Sequence, residues 1–148
     1  MLVKEIMSDH KVSISPNDSL TSAVRKMRDK DIGCLLVEEN GKLRGVVTDR
    51  DVACRGLVSG LGFTDLTVSD IMSRDVIWCT ENEDVEDAVR LMEQHQVRRL
   101  PVMAENEHAV GMLGVGDISA HLSHELTGEV IAAVSTSSYS SPTAKSLR

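Results

Sequence analysis

The sequence predicts an α+β fold in which one unit, strand–helix–strand–strand–helix, occurs twice. The chain aligns with itself at an offset of 65 residues, since segments 3–37 and 68–102 match without a gap and share 11 of 35 positions. Each half also carries a helical stripe of apolar residues and ends on a similar turn. We place the first repeat at residues 1–60, the second at 61–126, and a C-terminal extension at 127–148.

The first strand and first helix of each repeat follow from local patterning. In "KVSISPNDSL" an alternating stretch predicts a short strand, which Pro16 and the Asn-Asp-Ser cluster end while offering helix N-caps. Apolar residues then recur at i, i+3, i+4 and i+7, which predicts an amphipathic helix. These positions are Leu20, Ala23, Val24 and Met27 in the first repeat and Val85, Ala88, Val89 and Met92 in the second.

The remaining elements of the unit are two strands and a second helix. "IGCLLV" and "VRRLPV" are short apolar strands, and "NGKLRGVVT" predicts a turn followed by another strand. "DRDVACRGLVSG" then predicts a helix. A unit of about 60 residues is small for burying its own apolar faces, so we expect the two repeats to pack about a pseudo-twofold axis.

The C-terminal part predicts a helix and then a tail. Ile118, Leu122 and Leu126 are spaced by four residues, and the helical pattern continues into "GEVIAAV". The last stretch, "STSSYSSPTAKSLR", is serine-rich and without periodicity, which predicts disorder.

Composition limits the function classes. The net charge of −7 and the presence of one Phe, one Trp and one Tyr argue against nucleic-acid binding, which needs basic patches and stacking platforms. No apolar run is long enough to span a bilayer, so we expect no membrane partner and a cytoplasmic location. The three cysteines lack the close pairing of a metal site.

The turn "GVVTDRD" at residues 45–51 returns as "GMLGVGD" at 111–117. As a structural feature, Thr48 and Asp51 form a variant of the capping box of a helix. As a binding feature, the same groups suit a nucleotide, because a helix start favours phosphate and a carboxylate accepts from both hydroxyls of a ribose. The turn alone leaves both interpretations open.

The paired Gly-x-x-Thr-x-x-Asp turns, the "RLPV" strand and the "IMS" that opens each repeat resemble a tandem pair of CBS domains, the Bateman module. The resemblance covers about residues 1–126 and implies a stand-alone regulatory module. It implies binding of AMP, ADP or ATP, with S-adenosylmethionine as another ligand, in clefts between the repeats. It further implies a homodimer formed through helices and an unknown protein partner.

The resemblance also assigns roles to residues. Asp51 and Asp117 would hold ribose hydroxyls, Thr48 would lie beside the phosphates, and Arg98 and Arg99 match basic residues that grip phosphate. The adenine contacts would come from the first strand of each repeat, here Ser13 and Ile14, and Trp78 and Cys79. We expect no required cofactor, no metal site and no enzymatic activity, since no nucleophile–base pair stands out and His121 and His124 lack an evident third ligand.

The repeats are not symmetrical. Gly114 replaces Thr48, and the first repeat has Gly33 and Cys34 where the second has Arg98 and Arg99. We therefore expect two unequal ligand sites, and the alternative is a structural or protein-interaction homodimer whose clefts are vestigial.

Overall fold

The computed structural model describes residues 1–135, which form two compact units. The N-unit is Val12–Val76, and the C-unit combines Met1–Lys11 with the chain from Ile77 onward. Each unit holds a three-stranded sheet, so the predicted α+β class is confirmed. The predicted disordered tail, apart from Ser135, lies outside the described residues.

The elements follow the predicted order, with a short helix added before the first strand of each repeat. They are α1 Val3–Ile6, β1 Ser13–Ile14, α2 Leu20–Lys30, β2 Cys34–Glu39, β3 Lys42–Thr48, α3 Asp49–Asp51, α4 Val68–Ile71, β4 Cys79–Thr80, α5 Val85–His95, β5 Arg99–Met103, β6 Ala109–Gly114, α6 Val115–His121 and α7 His124–Ser135. Within residues 1–135, no helix combines the length and the apolar character needed to cross a membrane.

The two sheets have the same topology. In the N-unit, β1 pairs parallel to β2, which pairs antiparallel to β3; β4, β5 and β6 repeat this in the C-unit. Asn40 and Gly41 connect β2 to β3 with positive φ angles of 53° and 74°, as a two-residue type I′ hairpin requires. Ser19 begins α2 as predicted, because its hydroxyl accepts from the Ser22 N–H at 3.1 Å.

Two helical predictions need correction. The helix after Thr48 is α-helical only for Asp49–Asp51 and continues as a π-helical segment, Val52–Leu57. The wider turn keeps Val52 and Gly56 buried, and a Cβ on Gly56 would lie 3.1 Å from Leu20 Cδ1. The predicted long C-terminal helix breaks at Leu122, which is extended, because Ser123 starts a new helix by accepting from the Leu126 N–H.

Each unit is closed by a strap, which we define as residues 71–73 in the N-unit and 6–8 in the C-unit. Ser73 exchanges two backbone hydrogen bonds with Val46, of 2.9 and 3.0 Å, and Ser8 exchanges two of the same lengths with Met112. The segment that opens one sequence repeat therefore packs onto the body of the other. The repeat boundaries 1–60 and 61–126 describe sequence similarity, and the compact units are assembled differently.

The straps explain why a glycine occurs at the same place in both turns. A Cβ on Gly45 would lie 2.3 Å from the Ser73 carbonyl oxygen, and a Cβ on Gly111 would lie 2.3 Å from that of Ser8. No side chain fits at that distance, so these glycines admit the chain's own strap to the strand.

The core of the N-unit joins one face of α2 to the sheet and the strap. Leu20, Ala23 and Met27 are buried as the helical stripe predicts, whereas Val24 is 40% exposed. They pack in one cluster with residues of β1, β2, β3 and α4. In the C-unit the equivalent helical positions, Val85, Ala88, Val89 and Met92, are all buried.

Candidate functional site

The turn after β3 is a closed capping box. The Asp51 N–H donates to Thr48 Oγ1 at 3.1 Å, and the Thr48 N–H donates to Asp51 Oδ2 at 3.0 Å. Thr48 is 1% exposed and Asp51 is 5% exposed. The predicted capping interaction is therefore present, and it holds the carboxylate in one orientation.

Arg55, one helical turn later, is the charged neighbour of this carboxylate. Its Nε lies 3.7 Å from Asp51 Oδ1, while its Nη1 reaches the Ile71 carbonyl oxygen at 3.2 Å and Ser73 Oγ at 3.4 Å. Arg55 thus connects the carboxylate to the N-unit strap. Burial raises the pKa of Asp51 above its usual value of 3.8, against the hydrogen bonds from Thr48 and the charge of Arg55, which lower it.

The raised pKa of Asp51 predicts a pH-dependent cost in stability. Below pH 3.8, the usual pKa, the group is protonated in both the folded and the unfolded chain, so its burial costs no stability through ionisation. As pH rises through the higher folded pKa, the folded protein has to ionise a buried group and loses stability. We expect Asp51→Asn to gain stability relative to wild type between acid and neutral pH, as measured by urea unfolding at several pH values.

Asp51→Ala is the matched control. It should show the same pH dependence as Asp51→Asn. Its free energy of unfolding should be about 1 kcal/mol lower than that of Asp51→Asn, because alanine cannot accept from the Thr48 N–H. A stability difference between Asp51→Asn and wild type that stays constant from acid to neutral pH would contradict the role of burial.

The turn after β6 repeats the carboxylate without the hydroxyl. The Gly114 N–H donates to Asp117 Oδ2 at 2.7 Å, so half of the capping box remains. Asp117 is only partly buried. His121 stands where the N-unit has Arg55, and its Nδ1 donates to the Asp117 carbonyl oxygen at 2.9 Å.

Arg98 and Arg99 lie beside this second turn. Both are exposed, and β5 begins at Arg99, which pairs with Gly114 on β6. A Cβ on Gly114 would lie 3.8 Å from Arg99 Cγ and 3.5 Å from Asp117 Oδ2. The structure therefore brings the stem of Arg99 and the Asp117 carboxylate together at Gly114, while Arg98 Nη2 donates to Ser135 Oγ at 3.4 Å.

The first-strand residues lie on the other outer strand of each sheet. Ser13 and Ile14 form β1, whose side chains differ in exposure because Ile14 belongs to the core at 3%. Cys79 is 1% exposed in β4, and Trp78 just before it is 50% exposed. Within one unit, the strand order β1-β2-β3 separates Ser13 and Ile14 from the Asp51 turn by the width of β2, roughly 10 Å across.

Reasoning from the sequence missed Arg55 as part of the first turn. The signal was available, because an acid and a base at i and i+4 on a helix are neighbours. Its equivalent in the second turn is His121. Within residues 1–135, no three His, Cys, Asp or Glu side chains are grouped as a metal site would require.

Burial raises the pKa of the Cys79 thiol to about 12, so this cysteine is neutral.

Two three-stranded units, each with a carboxylate fixed at the start of the helix after its last strand, define a tandem-repeat protein of the α+β class. The chain belongs to the CBS domain family, whose model matches residues 3–55 and 68–124. The predicted tandem CBS pair is thereby confirmed.

Similar proteins span almost the whole chain. The CBS domain-containing protein YhcV of Bacillus subtilis is 35% identical over 134 residues, which is 90% of this chain and 94% of that protein. Hypoxic response protein 1 of Mycobacterium tuberculosis is 30% identical over 132 residues, 88% of this chain and 92% of its own length. The crystal structure of the CBS domain pair of protein MJ0100, in complex with 5′-methylthioadenosine and S-adenosyl-L-methionine, is 30% identical with a TM-score of 0.72, covering 81% of this chain and 94% of that one.

Proposed function

We propose that this CBS pair is a regulatory module that binds an adenosine compound and has no catalytic role of its own. Asp51 and Asp117 would each hold the two hydroxyls of a ribose. Binding would change the shape or the partner affinity of the protein, to the extent that the ligand prefers one state over another. The cytoplasmic location expected from the sequence stays part of this proposal.

The observation that carries the proposal is the duplicated, preoriented carboxylate. In both units a backbone N–H fixes one carboxylate oxygen, at 3.0 Å for Asp51 and 2.7 Å for Asp117. A capping box alone has no need of a buried charge, since an uncharged glutamine also serves as its third helical residue. A carboxylate kept in spite of the burial that raises its pKa is a candidate for function.

The ligand class is supported by the solved relatives. The CBS pair of MJ0100 was crystallised with two adenosine compounds that both carry a ribose diol. At 30% identity over 81% of this chain, its ligands point to the same class here. The proposal therefore covers AMP, ADP, ATP, S-adenosylmethionine and methylthioadenosine, which share the adenosine group.

Thermal unfolding tests this proposal, because a ligand that binds only the folded state stabilises it by about 2.7 kcal/mol at a concentration of 100 Kd. We expect at least one adenosine compound to raise the Tm of the wild type, while GTP, the control, leaves it unchanged. Asp51→Asn or Asp117→Asn should reduce the shift while keeping the fold. If no adenosine compound moves the Tm at millimolar concentration, the proposal fails.

A second candidate function is a protein-interaction homodimer. It is favoured by four large apolar side chains exposed along one stretch of the N-unit: Leu57 at 63%, Val58 at 79%, Leu61 at 58% and Phe63 at 38%. Exposed apolar surface of this kind marks interaction sites. Under this candidate the Tm depends on protein concentration and not on any adenosine compound. A homodimer that also binds ligand fits the first proposal.

A further inference from the structure

The C-unit covers its first long helix with a helix that has no counterpart in the N-unit. α7, His124–Ser135, packs against α5, on which Val89 is 3% exposed. Val24 holds the equivalent position on α2 and is 40% exposed. Residues 58–66, which follow the π-helical segment of the N-unit, form turns in place of such a helix. The outer side of α2 is therefore left open to solvent.

The chain beside this open side is apolar. The π-helical segment packs against α2, and the stretch that continues from its end, residues 57–63, remains close to it, because a Cβ on Gly56 would lie 3.7 Å from Phe63 Cε1. The large apolar side chains of this stretch are exposed: Leu57, Val58, Leu61 and Phe63. We call residues 57–63 together with the exposed side of α2 the N-face. Exposed apolar surface of this kind marks an interaction site.

The N-face is basic, although the whole chain has a net charge of −7. Arg25 and Arg28 lie one helical turn apart, on the same side of α2 as Val24. The exposed charged side chains of α2 are four cations and one acid: Arg25, Lys26, Arg28, Lys30 and Asp29. Two N-faces placed against each other would bring like charges together, which disfavours that pairing.

The outer helices of the C-unit are acidic. The charged side chains of α5 are three acids and one cation: Glu86, Asp87, Glu93 and Arg90. α7 adds Glu125 and Glu129, both exposed and one turn apart, and contains no Lys or Arg. Ile131 of α7 is an exposed apolar side chain, at 46%. We call the exposed sides of α5 and α7 the C-face.

The N-face and the C-face are complementary in charge, and both expose apolar side chains. We infer that the protein pairs head to tail with a second copy of itself, so that the N-face of each copy contacts the C-face of the other. Twofold symmetry makes the two contacts identical and uses both faces of both copies, so the assembly closes as a dimer. This inference rests on the homodimer of the second candidate function and does not depend on adenosine binding.

Charge reversal in the full-length protein tests the pairing, with the dimer dissociation constant measured by sedimentation equilibrium. Arg25→Glu on the N-face and Glu129→Arg on the C-face should each raise this constant by at least about tenfold, because each reversal sets like charges against each other at both contacts. Lys42→Glu is the control, since it changes the net charge as Arg25→Glu does. Lys42 is exposed and begins β3, at the other end of that strand from α3, so its reversal should leave the constant unaltered.

Mixing the two variants distinguishes a head-to-tail dimer from other arrangements. In a mixed dimer of Arg25→Glu with Glu129→Arg, one contact is wild type and the other carries both reversals, whose charges attract each other again. The equimolar mixture should therefore return to the dissociation constant of the wild type. The double variant Arg25→Glu/Glu129→Arg should recover as well, because both of its contacts carry both reversals. Circular dichroism checks that these exposed substitutions keep the fold.

A head-to-head dimer would respond in the opposite direction, because Arg25→Glu would lessen the repulsion between two basic faces and tighten it. That result, or a mixture that dissociates as readily as the separate variants, would overturn the inference and leave the homodimer in place. A wild type that is monomeric at every concentration measured would overturn the inference and the second candidate function together. The adenosine proposal is unaffected by either result, since the ligand-dependent shift in Tm tests it separately.

Discussion

Replacing Gly45 or Gly111 with alanine is expected to lower the free energy of unfolding by about 3 kcal/mol, the upper range for overpacking a filled site. The new methyl group would lie 2.3 Å from the carbonyl oxygen of Ser73 or Ser8. Neither oxygen can move away freely, because each strap serine exchanges two backbone hydrogen bonds with the strand, Ser73 with Val46 and Ser8 with Met112. The strap would have to leave its strand, and urea unfolding measures the loss.

Gly128→Ala is the control for this prediction. Gly128 lies within α7, and a Cβ there meets nothing within 4 Å. Alanine should raise the free energy of unfolding by as much as about 1 kcal/mol, because it favours the helix over glycine. If Gly45→Ala and Gly111→Ala are as stable as the wild type, the straps do not pack against the strands as described.

The second large effect is expected from the core. Leu35 and Leu100 occupy equivalent positions in the two repeats and are both 0% exposed. Leu35→Ala and Leu100→Ala should each lower the free energy of unfolding by about 3 kcal/mol, through lost burial and the cavity that remains. Urea unfolding again provides the measurement.

Val24→Ala is the control for the core variants. Val24 is part of the helical stripe in the sequence but is 40% exposed, so its truncation should change stability by less than about 0.5 kcal/mol. If Leu35→Ala or Leu100→Ala lowers the free energy of unfolding no more than Val24→Ala does, the description of the core is contradicted.

Much of the fold is predictable because each element occurs twice in the sequence, and the pattern in one copy can be checked against the other. The stripe of α2 and that of α5 agree, and the Asn40–Gly41 hairpin follows from turn chemistry alone. The repeat also places a glycine at positions 45 and 111, and the structure shows that each admits the protein's own strap to the strand.

What the sequence could not predict depends on long-range contacts. The π-helical turn at Val52–Leu57 and the exposure of Val24 are set by tertiary packing, which local patterns do not encode. The break at Leu122 is different, because it has a local cause: Ser123 is a strong N-cap inside an otherwise continuous apolar pattern. The straps are a third example, since local periodicity carries no information on which sheet a short helix will join.

The candidate site was predictable as a motif and less so as a geometry. The Thr48 to Asp51 cap forms as its spacing indicates. The pairing of Asp51 with Arg55 follows an i, i+4 spacing, whereas the contact of Arg55 with Ser73 joins residues far apart in the chain and no local pattern predicts it. The roles proposed for the nine ligand-contact residues remain predictions.

Calorimetric titration of the nucleotide-stripped protein tests the central claim most directly. The wild type should bind at least one of AMP, ADP, ATP, S-adenosylmethionine and methylthioadenosine saturably, and should not bind GTP. The folded double variant Asp51→Asn/Asp117→Asn should bind none of them. Equal binding of an adenosine compound by wild type and double variant would show that neither aspartate holds the ribose and would contradict the account.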